Sequence, residues 1–145
     1  MPVTYDVQNH GHFIQAVAST PLTGLEFIDY EVAHAIDPRI TPPVNELLEV
    51  KAGALEAITK EDISAVLERR KQIPSPPTPH RCAIVVSGMD ARDWEMASFY
   101  EGMVTLHYPE DVIVFGDARI ARIWLGVEAS PTPSVSETET QGSPL

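Results

Sequence analysis

The sequence predicts one α/β domain on a mixed, mostly parallel sheet, with elements in the order ββαβαβαβα. Three observations carry that expectation. Three apolar runs, residues 46–51, 82–87 and 112–115, are each followed by a stretch with helical apolar spacing. Two strand-like segments, 4–8 and 12–18, precede them and are separated by Asn9-His10-Gly11. The 145 residues, 43% hydrophobic and 21% charged, suffice for one domain with an adequate core.

Asparagine and glycine tolerate positive φ, so residues 9–11 predict a hairpin turn. Pro21 ends the second strand. Thr23 followed by Glu26 has the form of a capping box. Behind it Leu25, Ile28, Val32 and Ile36 fall at helical spacing and predict the buried stripe of a first helix, closed by Asp37-Pro38. A rigid Thr41-Pro42-Pro43 connector leads to a strand at 44–51 and a loop at 52–58. Thr59 and Asp62 repeat the capping pattern. Ile63, Val66, Leu67, Arg70 and Ile73 mark the buried side of a second helix. Four prolines within residues 74–79 forbid helix and central strand alike, so this stretch is an extended spacer. The strand at 81–87 stops at Gly88. A long helix follows from about 91 to 107, with Met96, Phe99, Tyr100 and Met103 on one side. After a turn at 109–111 comes the short strand 112–115. Gly116-Asp117 then caps a last helix whose Ile120, Ile123, Trp124 and Val127 are expected to face inward. Residues 128–145 hold three prolines, and serine or threonine fills seven of the eighteen positions. Such a composition buries too little surface to offset ordering entropy and predicts a disordered tail beyond a domain of residues 1–127.

Charge and composition narrow the function. The net charge is −11, and residues 1–38 carry five acids with no lysine or arginine. Phosphate neutralisation drives nucleic-acid binding, so a nucleic-acid partner is not expected; nor is an anionic membrane surface. Arg69-Arg70-Lys71 sits at a helix end, where it complements the helix dipole. No apolar run approaches the roughly 20 residues of a membrane span, and no basic-then-apolar leader opens the chain. A cytoplasmic location is the expectation. Cys82, the single cysteine, reads as a small apolar residue in a buried strand.

The residues assemble no catalytic set. Ser87-Gly88-Met89-Asp90 has one glycine where phosphate loops need two or three. Paired-cysteine or paired-histidine metal spacing is missing. His10 and His12 flank a turn glycine, an arrangement commoner in solvated turns than in metal sites. His34 lies among alanines and is expected at a helix surface or a helix–helix contact; His80 and His107 sit at element ends. Glu46 and Glu49 are an odd distance apart on one strand, so they point to opposite faces. In open α/β sheets ligands gather at the carboxyl ends of strands. That rule places Glu49, Lys51, Thr59, Ser87, Asp90, Gly116 and Asp117 on one candidate rim. Thr59 is foremost a helix cap, and its hydroxyl stands where a phosphate is also well tolerated.

Three strings, with the order of elements, resemble the STAS superfamily and more narrowly its SpoIIAA-like bacterial members over about residues 3–127. Residues 46–51 are similar to the family's third strand. Residues 58–63 resemble the start of its second helix, and residues 114–118 leading to 123–125 look like its last strand and helix. In the phosphorylatable anti-sigma antagonists an Asp-Ser pair opens the second helix, and a kinase modifies the serine. Thr59 is the nearest counterpart here, with Ile58-Thr59-Lys60 where those proteins have an Asp-Ser-Ser-Gly string.

The resemblance implies a non-enzymatic regulatory module that works by protein–protein contact, needs no cofactor or metal, and uses the rim around Thr59. The alternative is a small apolar-ligand domain. The fold class also resembles the lipid-binding CRAL-TRIO domain, and the methionine and aromatic side of the third helix is a candidate pocket wall. An enzyme would require a deep cleft with convergent titratable groups. The exposed edge of the leading hairpin makes a homodimer a further possibility.

Overall fold

The computed structural model describes residues 3–19, 21–72, 79–88 and 90–127. The expected proline spacer, all but Pro79, and the expected disordered tail lie outside the described residues. Five strands form one sheet: β1 (Val3–Gln8), β2 (Phe13–Ala18), β3 (Val44–Val50), β4 (His80–Val86) and β5 (Asp111–Phe115). Four helices connect and follow them: α1 (Gly24–Ala35), α2 (Lys60–Arg70), α3 (Ala91–His107) and α4 (Ala118–Leu125).

The spatial order of the strands is their order in the chain. β1 pairs antiparallel with β2, and β2–β3, β3–β4 and β4–β5 are parallel. The sheet is therefore mixed, and the expectation of a mostly parallel sheet gives way to that description. Asn9, His10 and Gly11 all take positive φ (52°, 55° and 93°), which turns the chain sharply between β1 and β2.

Every crossover steps one strand in the same direction, so α1, α2 and α3 share a face of the sheet. α1 packs on α2 and α2 on α3. Even-numbered positions of β2, β3 and β4 face these helices, and Ile14, Glu46, Cys82 and Val112 form one transverse row. The main core lies here, around Leu48, Val50, Ile84, Val86, Ile63, Val66, Met96 and Val104. α4 covers the opposite face over β3–β5, closing a second core of Phe13, Leu47, Ala83, Val85, Ala121 and Leu125. Beside it the back of β1 and β2 carries Thr4, Asp6, Gln8 and Gln15, polar residues suited to an uncovered face.

Both capping boxes are present. The Thr23 hydroxyl accepts from the Glu26 N–H while Glu26 accepts from the Thr23 N–H, and Thr59 and Asp62 do the same for α2. Asp90 and Asp117 cap α3 and α4.

Two apolar stripes differ from expectation. On α1, Leu25 and Ile36 are 68% and 61% exposed, and the buried face is Phe27, Tyr30, Glu31 and His34. Apolar spacing misplaces this face because the helix buries a carboxylate and an imidazole that find partners on other elements. On α4, Ala121 and Leu125 are the buried pair, whereas Ile120 and Ile123 are 53% and 73% exposed. The small Ala121 lies against the sheet next to Ala83, which turns the isoleucines away from it. Among the described residues no helix is long and apolar enough to cross a membrane.

Candidate functional site

The residues of the expected rim are at the carboxyl ends of the strands, and each is occupied locally. Lys51 Nζ pairs with Glu49 Oε2 at 3.1 Å. Ser87 Oγ donates to the Val50 carbonyl at 3.1 Å. Thr59, Asp90 and Asp117 accept from N–H groups of the helices they cap. The loop behind this rim is held from α3. Asp93, fully buried, accepts from the N–H groups of Gly53 (2.8 Å) and Leu55 (2.9 Å), and Arg92 Nη2 donates to the Ile58 carbonyl at 2.6 Å. Gly88 lies so close to Ala52 that a Cβ on it would meet the Ala52 Cβ at 2.5 Å.

The largest gathering of ionisable groups among the described residues is elsewhere, buried at the amino ends of β3, β4 and β5. Glu46 on β3 is at its centre. The Tyr30 hydroxyl of α1 donates to Glu46 Oε2, and His80 Nε2 of β4 donates to Glu46 Oε1 at 2.9 Å. His34, one turn after Tyr30, aims Nε2 at Glu31 Oε2 (3.6 Å) and Glu46 Oε2 (3.9 Å). Arg70 reaches in from the last turn of α2. Its Nη2 donates to Glu110 Oε1 at 2.7 Å, its Nη1 donates to the Tyr100 hydroxyl at 3.0 Å, and its guanidinium lies over the Tyr108 ring at 4.5 Å. Tyr100 donates in turn to Glu31 Oε1 at 3.2 Å. Glu31, His34, Glu46, Arg70, His80 and Glu110 are all buried.

Mutual charge sets the ionisation of this cluster. Burial pulls the His34 imidazole down, but the Glu46 and Glu31 carboxylates outweigh it and raise it to about 9. His80 is raised in the same way, chiefly by Glu46 against the cost of burial. Burial pushes the Glu46 carboxyl up, while His34, His80 and the Tyr30 hydroxyl hold it well below the usual range. Glu31 is also lowered, burial being overcome by His34 and Arg70. For Glu110 burial prevails over His80 and Arg70, and its carboxyl is raised. Burial lifts the Cys82, Tyr30 and Tyr100 ionisations well above their ordinary values, so these groups stay protonated at neutral pH.

Sequence reading missed this cluster for identifiable reasons. His34 was expected at a surface or a helix contact, and it is 4% exposed beneath α1. His80 sits at the start of β4, at an element end as expected, and its imidazole faces Glu46. Arg70, read both as complementing the helix dipole and as part of the buried side of the second helix, is buried, and its acidic partners lie on other elements. The available signal was the position of Arg70 on the buried stripe of α2, since a buried guanidinium demands a buried acid. Glu46 on the inward face of β3 was the other half of that signal.

The remaining expectations divide. His12 Nδ1 lies 2.8 Å from the Thr41 carbonyl and 3.2 Å from that of Pro43, a contact that ties the hairpin to the connector. Cys82 is buried, as a small apolar strand residue would be. The apolar cavity bounded by Leu22, Phe27, Leu55, Met96, Tyr30 and Tyr100 measures about 20 Å³, room for a single water and far from that of a lipid chain. No protein-family model, curated protein or solved structure matches this chain.

Proposed function

We propose that this chain is a regulatory protein-contact domain of STAS-like type that acts in the bacterial cytoplasm and carries out no catalytic step. The observation that supports the reading most directly is the outward face of α4. Ile120 and Ile123 are 53% and 73% exposed there, and Ile113 on the same side of the sheet is 36% exposed. Apolar side chains grouped on an otherwise charged surface mark contact sites. The partner surface of this face is therefore apolar at its centre. The buried cluster supports the non-catalytic half of the reading, because its carboxylates and cations face one another and are closed off from solvent.

Quantitative co-purification tests this with three forms of the chain: wild type, Ile120→Glu/Ile123→Glu, and Thr59→Glu. Both isoleucines are exposed, so thermal unfolding of the double variant should match wild type. A defined protein held by wild type and Thr59→Glu, and lost from the double variant, is the expected result. An unchanged set in the double variant would overturn the assignment of the α4 face. Loss with Thr59→Glu alone would do so too and would move the contact to the rim.

A further inference from the structure

We propose that Glu31, His34 and Glu46 form a binding site for one divalent transition-metal cation of the zinc type. This goes beyond the contact function above, does not depend on it, and departs from the sequence expectation of no metal.

Geometry carries the inference. One ligand atom from each of the three residues lies within 4.8 Å of the others. His34 Nε2 stands 3.6 Å from Glu31 Oε2 and 3.9 Å from Glu46 Oε2. Both separations exceed a hydrogen bond. They approach the edge of about 3.4 Å of a tetrahedron whose metal–ligand bonds are about 2.1 Å. Small side-chain shifts would close the difference. His34 Nε2 is buried without a hydrogen-bond partner, although it points between two carboxylates. A buried polar nitrogen in that state is uncommon and calls for a physical account.

The groups around the three residues are arranged as supports for metal ligands. Tyr30 and His80 hold Glu46. Tyr100, with Arg70 Nη1 at 3.6 Å, occupies Glu31 Oε1 and leaves Oε2 turned toward His34. Outer partners of this kind orient ligating side chains and set their basicity. Charge agrees. A dication would take the place of the protons that His34 and His80 otherwise carry: with both imidazoles neutral, the Glu31, Glu46 and Glu110 carboxylates against the Arg70 cation leave two negative charges for it to balance. One imidazole nitrogen and two carboxylate oxygens suit Zn²⁺, Co²⁺, Mn²⁺ or Fe²⁺ rather than a soft cation that prefers thiolate. A second triad, Glu46, Cys82 and Glu110, shares Glu46 and offers sulfur. The unpartnered His34 nitrogen favours the first.

The test uses the full chain freed of metal by a chelator and titrated calorimetrically with Zn²⁺ alone. One equivalent bound, with a raised unfolding temperature, is the expected result. His34→Gln should weaken binding at least tenfold, whereas His10→Gln and His12→Gln should leave it unchanged. Should His34→Gln fail to fold, X-ray absorption on the Zn²⁺-loaded wild-type chain reads the ligands directly. A shell of imidazole nitrogen and oxygen supports the site. Sulfur in the shell, retained binding in a folded His34→Gln chain, or no stoichiometric binding would each overturn it.

Discussion

Arg70 concentrates the argument at the scale of single residues. Its guanidinium contacts Glu110, Tyr100 and the Tyr108 ring, and it lies 3.6 Å from Glu31. A buried ion pair adds little against an apolar replacement of the whole set, but removing one partner leaves an uncompensated charge. Arg70→Met should therefore destabilise the fold by about 3–5 kcal/mol, read as a fall in the urea midpoint with an unchanged slope. The Arg70→Met/Glu110→Leu double variant should recover part of that loss; a double variant no more stable than the single would show that the pair is not coupled. Glu46 shows the same logic from the acid side. It is tolerable in the core because Tyr30 and His80 fill both of its oxygens.

At the scale of elements, caps and a clamp tie helix starts to the sheet. Thr59→Ala removes the side-chain acceptor of the Asp62 N–H and should cost about 1 kcal/mol. Thr59→Ser should be close to neutral, and a chemical denaturation series on the two variants checks it. Asp93 holds the loop between β3 and α2 through two backbone N–H groups. Asp93→Ala leaves those donors without their acceptor in a buried setting, at about 1–3 kcal/mol each. Amide exchange in residues 53–55 should accelerate markedly more in that variant than exchange in β4. Equal acceleration in both would mean that the clamp acts on the whole fold rather than on the loop.

At the scale of the molecule, the charged cluster joins α1, α2 and α3 to the starts of three strands, so stability should follow its ionisation. His34, raised from 6.5 to about 9, contributes stability that is fully present below pH 6.5 and is lost as pH rises through 9. His80 acts in the same direction. Glu46 and Glu31, both lowered from 4.5, contribute stability present above pH 4.5 and lost in acid. Glu110, raised, partly opposes them there. Cys82, Tyr30 and Tyr100, whose ionisation burial suppresses, add a further loss at the alkaline end. The urea midpoint should therefore peak between about pH 5 and 6.5 and fall toward pH 9, with His34 accounting for about 3 kcal/mol. His34→Gln should be less stable throughout and decline less steeply above pH 6.5. A flat wild-type profile from pH 6.5 to 9 would rule out the charged imidazoles.

Local chemistry made much of this fold legible from the chain alone. The turn at 9–11, both capping boxes, the α/β alternation and the burial of Cys82 follow from backbone preference and from hydrogen bonds between residues three apart. Tertiary structure decided what those rules cannot reach. Which side of α1 and α4 is buried depends on what the sheet presents to them, and the charged cluster gathers residues 31 to 110 from four separate elements and the connection between α3 and β5. A carboxylate and an imidazole read as surface groups until the fold supplies their partners, because only pairing across distant segments offsets the cost of removing charge from water.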